Sequence, residues 1–148
     1  MSGNSRARHF VARALVDTGA VVALINRADR HHSAAAEWFQ RFRGQLLTTE
    51  AVVTETAYVL AASQSHQRAA LTWFERARAA GLLTVEPVAD YAALARIIAQ
   101  YANLPCDYAD ASLIALAERS GVTAIAAIDQ RDFSIYRVRG RRRFRVPL

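Results

Sequence analysis

The sequence contains no lysine, and its 19 basic residues are all arginine. This absence excludes every mechanism that needs a lysine amine, including Schiff-base catalysis and the Walker-type phosphate loop. Cysteine is nearly absent as well, since Cys106 is the only one in the sequence. A single cysteine allows neither an intramolecular disulfide nor a cysteine zinc site, and it fits a reducing compartment.

Long apolar runs are also missing. The longest ones, residues 14–25 and 122–128, are too short to span a bilayer, and Asp17 interrupts the first. Residues 1–13 are basic but lack the apolar segment of a secretory signal. We therefore expect a soluble, cytoplasmic protein with no membrane partner.

The chain has 148 residues, of which 53% are hydrophobic, with a formal net charge of +6. This length and composition predict one compact domain with a real core. We interpret residues 1–148 as a single domain, with residues 1–12 as an N-terminal extension and 137–148 as an Arg-rich C-terminal tail. The basic excess indicates an acidic partner, such as a polyanion.

Short apolar runs alternate with longer segments of helical periodicity. This alternation predicts a three-layer α/β fold, with a mostly parallel central sheet of four to five strands flanked by helices. Thr49 or Thr54 is expected to cap the helix that carries Glu55. No Gly-x-Gly-x-x-Gly motif follows the first strand, so dinucleotide binding loses its main support. The predicted strands lie near residues 14–16, 45–48, 82–85 and 123–128, with a last candidate at 144–146.

Two aspartates each follow an apolar strand directly. Asp17 comes after Leu15 and Val16, and Asp129 comes after Ile128. Ligands of an open parallel sheet bind outside the carboxyl ends of the strands, so the two carboxylates would meet if their strands are neighbours. The structural alternatives are a helix N-cap for Asp17 and a turn residue before Phe133 for Asp129.

Three further acids lie in segments predicted to be helical and apolar. Asp107 and Asp110 are three residues apart at the start of a helix, so they share one face. Asp107 is alternatively a simple helix cap, but Asp110 is followed by a largely buried stretch. Glu55 lies among valines and leucine, with a solvent-facing position as its alternative.

Carboxylates that converge in one cleft repel one another unless a cation neutralises them. A hard divalent ion suits such an all-oxygen site, and Mg²⁺ is usually completed by water and phosphate oxygens. Arginines around an acidic metal cleft would hold a phosphate backbone while the acids hold the metal. The predicted chemistry is metal-dependent hydrolysis of a phosphodiester in nucleic acid.

Four sequence segments together resemble the PIN-domain ribonucleases, and within them the VapC-type toxins of toxin–antitoxin pairs. The resemblance runs from Leu15 to about Val138, and it depends on the order and spacing of the segments. They are LVDTGA at 15–20, TETAYVL at 54–60, DYADASLIALAE at 107–118 and IDQRDF at 128–133.

The resemblance implies a metal site and several partners. It implies that an acidic quartet binds Mg²⁺ or Mn²⁺, that Thr18 supports it and that Asp107 is an additional ligand or neighbouring acid. Asp132 is an alternative to Asp129, which we favour. It also implies an RNA substrate, a homodimer and an antitoxin protein. The quartet comprises Asp17, Glu55, Asp110 and Asp129.

Arginines and aromatic residues complete the set of candidates. The Arg-rich tail is interpreted either as a binding site for RNA or an acidic partner, or as a solvated strand edge or tail. Trp38, Trp73 and Tyr58 are interpreted as core or dimer contacts. The candidate substrate-binding residues are Arg131, Arg137, Arg139 and Arg141.

Other functions remain open at this point. The resembled family commonly has Thr or Ser two residues before its last acid, whereas this chain has Ala127. A catalytically weak PIN-like protein that binds RNA or a partner is therefore one alternative. A stand-alone PIN nuclease without an antitoxin is another. A small-molecule phosphohydrolase is disfavoured, because a glycine-rich phosphate loop is missing and the excess of arginine would be unexplained.

Overall fold

A computed structural model describes residues 11–140 and 142–148 of the chain. Helices and short strands alternate along most of it. The strands are β1 (Ala12–Val16), β2 (Gly44–Thr49), β3 (Leu83–Glu86), β4 (Ile125–Ala126), β5 (Arg137–Val138) and β6 (Arg142–Arg143). The helices are α1 (Thr18–Ile25), α2 (His32–Arg41), α3 (Glu50–Val59), α4 (Gln64–Ala79), α5 (Tyr91–Gln100), α6 (Tyr108–Ser120) and α7 (Gln130–Ile135).

The central sheet has four parallel strands in the order β3-β2-β1-β4. β1 lies in the middle, with Leu15 opposite Leu47 on one side and Ile125 on the other. Parallel strands need crossover connections, and α1 to α6 supply the helices between them. The predicted α/β fold class is confirmed.

Side chains of β1 alternate between two apolar layers. Leu15 faces a core formed largely by α5 and α6, with Leu113 and Ile97. Ala14 and Val16 point to the opposite layer, where Val21 of α1 is buried. Because both faces of the sheet are covered, the strands read as continuous apolar runs instead of alternating patterns.

The buried helix α6 begins and ends as its sequence predicts. Asp107 occupies its N-cap, and Gly121 ends it with a φ of 74° in the left-handed region that favours glycine. Residues 111–117 are all buried. The acid-bearing first turn of α6 is therefore held on a helix with little freedom to shift. At α3, Thr49 is the N-cap, and its hydroxyl accepts a hydrogen bond from the Val52 amide.

The C-terminal segment packs onto the domain. β5 and β6 form an antiparallel hairpin that the sequence did not reveal. The strand predicted at 144–146 is reduced to one bridging residue, since Arg145 pairs with Ala124 beside β4. Val138 and Phe144 are buried in the core. The described part of the tail is thus anchored by apolar side chains, while its arginines remain outside.

Two of the three aromatic residues interpreted as core or dimer contacts pack in the interior. Trp38 and Trp73 lie against the cluster on the α1 side of the sheet. Tyr58 is 80% exposed, so the core interpretation is wrong for it. Residues 1–10 of the predicted N-terminal extension lie outside the described residues. No helix in the described part of the chain is long and apolar enough to cross a bilayer.

Candidate active site

Asp17 stands where β1 ends and α1 begins. Its backbone N–H donates to the Ala126 carbonyl of β4 at 2.9 Å, which extends the parallel pairing by one residue. Its side chain is only 8% exposed. Although Asp17 occupies the N-cap position of α1, its carboxylate makes no capping hydrogen bond to the helix. The cap alternative therefore gives no account of this buried acid.

Burial, and after it the charge of Asp110, raises the pKa of Asp17 to about 8. Glu55 and Asp107 contribute smaller repulsions. A carboxyl group that is costly to ionise in the isolated protein becomes favourable to ionise when a cation lies beside it. Asp17 is thus electrostatically suited to a cation, although it follows one of the most apolar segments of the chain.

Buried hydroxyl groups fix the strand ends around Asp17. The Thr48 hydroxyl of β2 donates to the Val16 carbonyl at 2.8 Å. Its neighbour Thr49 shares a 2.7 Å hydrogen bond with Ser112 of α6. β1, β2 and α6 are therefore tied together at the edge of the sheet where the acids lie.

Glu55 projects from α3 toward the same edge. The Thr18 hydroxyl donates to Glu55 Oε2 at 2.9 Å. Partial burial and the charge of Asp107 raise the pKa of Glu55, while the bond from Thr18 lowers it. Glu55 is therefore neither fully solvent-facing nor buried, and Thr18 orients its carboxylate directly.

The first turn of α6 carries two acids in a reciprocal capping arrangement. Asp107 Oδ1 accepts from the Asp110 N–H at 2.8 Å, and the Asp107 N–H faces Asp110 Oδ2 at 3.5 Å. Burial, and after it the charge of Asp107, raises the pKa of Asp110 to about 7. The cap interpretation of Asp107 is correct. It does not separate Asp107 from the other acids, because its charge acts on Asp17, Glu55 and Asp110.

These four acids, Asp17, Glu55, Asp107 and Asp110, are called the acidic cluster below. They come from β1–α1, α3 and α6, so residues far apart in sequence share one electrostatic environment. Among the described residues, the ion pairs between arginine and Asp or Glu use Glu37, Glu75 and Glu118 instead. The repulsion within the acidic cluster is therefore not relieved by a neighbouring arginine.

Tyr136 is a site residue that the sequence did not reveal. Its ring is fully buried against Phe133 and Tyr101, and its hydroxyl donates to Asp110 Oδ2 at 3.2 Å. The two residues are 26 positions apart, so no local pattern connects them. A buried hydroxyl that holds one carboxylate oxygen orients that carboxylate toward the open side of the cluster.

Tyr136→Phe is therefore expected to weaken divalent-metal binding by about 10- to 100-fold, as loss of an orienting hydrogen bond does in metal sites. Titration with Mn²⁺, followed by calorimetry and by electron paramagnetic resonance, measures this directly. Tyr101→Phe is the matched control, because the Tyr101 hydroxyl accepts from the Arg137 N–H at 2.7 Å without touching an acid. Equal Mn²⁺ affinities of the two variants would contradict the role given to Tyr136.

Asp129 and Asp132 flank the acidic cluster on α7. Asp129 is exposed and caps α7, with Oδ1 accepting from the Asp132 N–H at 3.3 Å. The pKa of Asp132 is raised by its partial burial and by the charge of Asp129, with a smaller contribution from Asp107. Asp129 is not among the charges that contribute most to the pKa shifts of Asp17, Glu55 or Asp110. The structure brings four of the predicted acids together and leaves Asp129 at their margin.

The candidate substrate-binding arginines differ in their surroundings. Arg131 is exposed on α7, beside Asp132. Arg137 donates from one guanidinium nitrogen to three carbonyls at the end of α7, including that of Ser134 at 2.6 Å. Arg139 donates to the Glu118 carbonyl at 3.0 Å. Arg141 lies outside the described residues.

The donor set of the acidic cluster fits a hard divalent cation, since every side chain offers carboxylate oxygens. As the side chains stand, no three His, Cys, Asp or Glu groups within residues 11–140 and 142–148 are spaced to hold one ion together. Mg²⁺ commonly takes only one or two carboxylates and completes its shell with water and phosphate oxygens. The arrangement fits an ion held in that way, and less well an ion enclosed by protein ligands.

The fold and site define a small parallel three-layer α/β domain with acids outside the carboxyl end of its central strand. The chain belongs to the PIN-domain family, whose model matches residues 14–140. Ribonuclease VapC26 from Mycobacterium tuberculosis is 30% identical over 132 residues, which cover 89% of this chain and 98% of that protein. The resemblance inferred from the four sequence segments is confirmed.

The fold also resembles a solved structure. The chain matches VapC20 from Mycobacterium tuberculosis, described as a sarcin-ricin loop cleaving toxin, with a TM-score of 0.70 at 23% identity. The match covers 81% of this chain and 92% of VapC20. At this identity the likeness establishes the shared architecture, and the chemistry must be argued from the residues.

Proposed function

We propose that the protein is a Mg²⁺- or Mn²⁺-dependent endoribonuclease that hydrolyses phosphodiester bonds in RNA. The observation that carries this proposal is the mutually repelling acidic cluster at the edge of the sheet, in which Asp17 is buried and Asp110 is partly buried. Such an arrangement is costly for a folded protein unless it binds a cation. Membership of the PIN-domain family and the ribonuclease name of the relative VapC26 support RNA as the substrate.

The proposed metal ligands and catalytic residues are Asp17, Glu55, Asp110 and Asp129, with Asp107 as an additional ligand. A divalent ion bound there would lower the pKa of a water molecule and neutralise charge on the phosphoryl oxygens. Of these acids, Asp17 and Asp110 are the best-supported ligands, because burial raises the pKa of both and the charge of Asp110 also raises that of Asp17.

The remaining residues of the site are proposed to orient the carboxylates or to bind the phosphate backbone. Thr18 holds the Glu55 carboxylate, and Tyr136 holds that of Asp110. In the hydrolysis, the oxygen of water bonds to phosphorus as one P–O ester bond breaks, and the leaving oxygen takes up a proton. Arg131 is proposed to hold the phosphate backbone outside the acids. Arg137 is proposed to do so as well, in addition to capping α7. Arg139, which lies at the far end of α6 from the acids, and Arg141 are proposed to contact more distant parts of the RNA.

The test of this proposal is cleavage of a fluorescent single-stranded RNA by the purified protein. We expect cleavage in Mg²⁺ or Mn²⁺, none in excess EDTA, and recovery when the metal is restored. An RNA-binding protein without nuclease activity would bind the same RNA and leave it intact in all three conditions. That result would reject the nuclease proposal in favour of a PIN-like protein that only binds RNA, the alternative that Ala127 suggested.

We further propose that the protein is the cytoplasmic toxin of a toxin–antitoxin pair and that it forms a homodimer. Support comes from the VapC-type relatives, which cover nearly the full described chain. A small neighbouring reading frame whose product co-purifies with this chain and blocks RNA cleavage is the expected result. A fully active protein without such a partner would instead favour a stand-alone PIN nuclease.

A further inference from the structure

A cavity of about 360 Å³ opens beside the acidic cluster, between α3 and the first turn of α6. We propose that it binds one unpaired nucleobase of the RNA, and this proposal rests on the function proposed above. The walls are apolar at Ala51 and Ala109, and two acids of the cluster, Glu55 and Asp107, form part of its lining. Thr54, Tyr58 and Tyr108 form the rest of the lining. It is called the tyrosine cavity below.

The two tyrosines are unusually open to solvent for large aromatic residues. Tyr58 is 80% exposed and Tyr108 is 47% exposed. Within the described residues, neither ring contacts another aromatic ring, and neither hydroxyl is hydrogen-bonded. Their rings are therefore available to a ligand, and exposed aromatic faces are the common platform for stacking unpaired bases.

The charge of the tyrosine cavity favours a base over a phosphate. Glu55 and Asp107 lie in its lining, and none of the arginines that the structure describes does. A phosphate group placed there would meet two carboxylates without a compensating cation, whereas a nucleobase is neutral and has an apolar face. The backbone phosphate would instead lie on the metal side of the same acids.

The position of the cavity connects it with cleavage. Because Glu55 and Asp107 belong to both the tyrosine cavity and the acidic cluster, the bound base would belong to a nucleotide at or next to the scissile phosphate. Sequence-specific recognition of RNA usually targets unstacked bases of single strands and loops. The tyrosine cavity would therefore select RNA in which a base next to the cut is unpaired.

The test compares two fluorescein-labelled oligomers in EDTA, with cleavage-inactive Asp110→Asn protein as the background. One is a random-sequence 12-nucleotide single-stranded RNA, and the other is an abasic ribose-phosphate 12-mer with the same backbone charge. Fluorescence anisotropy should show tighter binding of the RNA by about 10-fold, the scale of one stacked base. Tyr58→Ala or Tyr108→Ala should remove most of that preference, whereas Tyr58→Phe and Tyr108→Phe should keep it.

Tyr91→Ala is the matched control, because Tyr91 is 70% exposed on α5 and does not line the cavity. Equal binding of RNA and the abasic oligomer, or an unchanged preference in both alanine variants, would overturn the proposal. A third outcome would also overturn it. If light scattering shows that the alanine variants no longer dimerise, and they bind both oligomers equally weakly, the surface is an interface between two copies of the chain. Metal-dependent RNA cleavage by the wild type tests the proposed nuclease activity independently of these binding measurements.

Discussion

Asp17→Asn and Asp110→Asn are each expected to lower the rate of RNA cleavage by at least about 10²- to 10³-fold, the usual cost of removing a group that stabilises transition-state charge. Both substitutions keep the size and shape of the side chain but remove its charge and replace one acceptor oxygen with an NH₂ donor. Asp17 is the most deeply buried acid of the cluster, and Asp110 is the one whose charge raises its pKa most. Loss of either carboxylate should remove a metal ligand, so excess Mg²⁺ should restore little activity.

The matched control is Asp90→Asn. Asp90 also occupies a helix N-cap, at α5, where Oδ1 accepts from the Ala93 N–H at 3.0 Å, and it lies outside the acidic cluster. The control should cleave RNA at the wild-type rate. Circular dichroism and thermal melting establish that all three variants fold. Full metal-dependent cleavage by either Asp17→Asn or Asp110→Asn would remove that residue from the site.

Sequence patterns predicted the site best where the information is local. The end of β1 could be located because an apolar run stops at Asp17, and the same reasoning placed Asp110 at the start of a buried helix. These acids are conspicuous because ionisable side chains are rarely buried without a partner. The α/β fold class followed from the same apolar runs, since a parallel sheet covered on both faces requires them.

Contacts that join distant segments could not be predicted in this way. Tyr136 follows a short helix and precedes a short strand, and a single tyrosine between such elements has many possible environments. Its bond to Asp110 exists only because the segment after α7 folds back onto α6. The Thr18–Glu55 bond spans 37 residues and has the same origin. Tertiary packing, not local propensity, determines both contacts.

The cap and ligand interpretations of Asp107 turn out to be compatible. Its Oδ1 accepts a backbone N–H at the start of α6, while its charge still acts on Glu55 and Asp110. Asp129 likewise caps its helix through Oδ1, and both residues are exposed. The sequence placed Asp129 in the quartet and Asp107 beside it, as an additional ligand or neighbouring acid. Their charges distinguish them, because Asp107 contributes to the pKa shifts of Asp17, Glu55 and Asp110, whereas Asp129 is prominent only in that of Asp132. Asp129 is therefore the quartet member whose substitution will be most informative after Asp17 and Asp110.

The stability of the metal-free protein is expected to fall as the pH rises from about 4 to about 8. In the unfolded chain, aspartates ionise near their ordinary pKa of 3.8, whereas in the folded protein Asp110 ionises only near 7 and Asp17 near 8. Below pH 4 both states hold these protons, so the acids do not affect unfolding. Between pH 4 and 8 the unfolded state releases protons that the folded state keeps, which favours unfolding. The loss is complete above the folded pKa values.

Thermal melting in EDTA across this pH range measures the effect. The Tm of Asp17→Asn should exceed that of the wild type by an amount that grows as the pH rises. Each 1 kcal/mol of difference in the free energy of unfolding corresponds to about 2–4 °C in Tm. Adding Mg²⁺ at pH 8 should stabilise the wild type, because a bound cation favours the ionised carboxylates of the folded state. The same addition should have much less effect on Asp17→Asn, which lacks the carboxylate. The measured quantity is the wild-type Tm minus the Asp17→Asn Tm in EDTA. If this difference stays level or rises between pH 4 and 8, the result contradicts the electrostatic account of the acidic cluster.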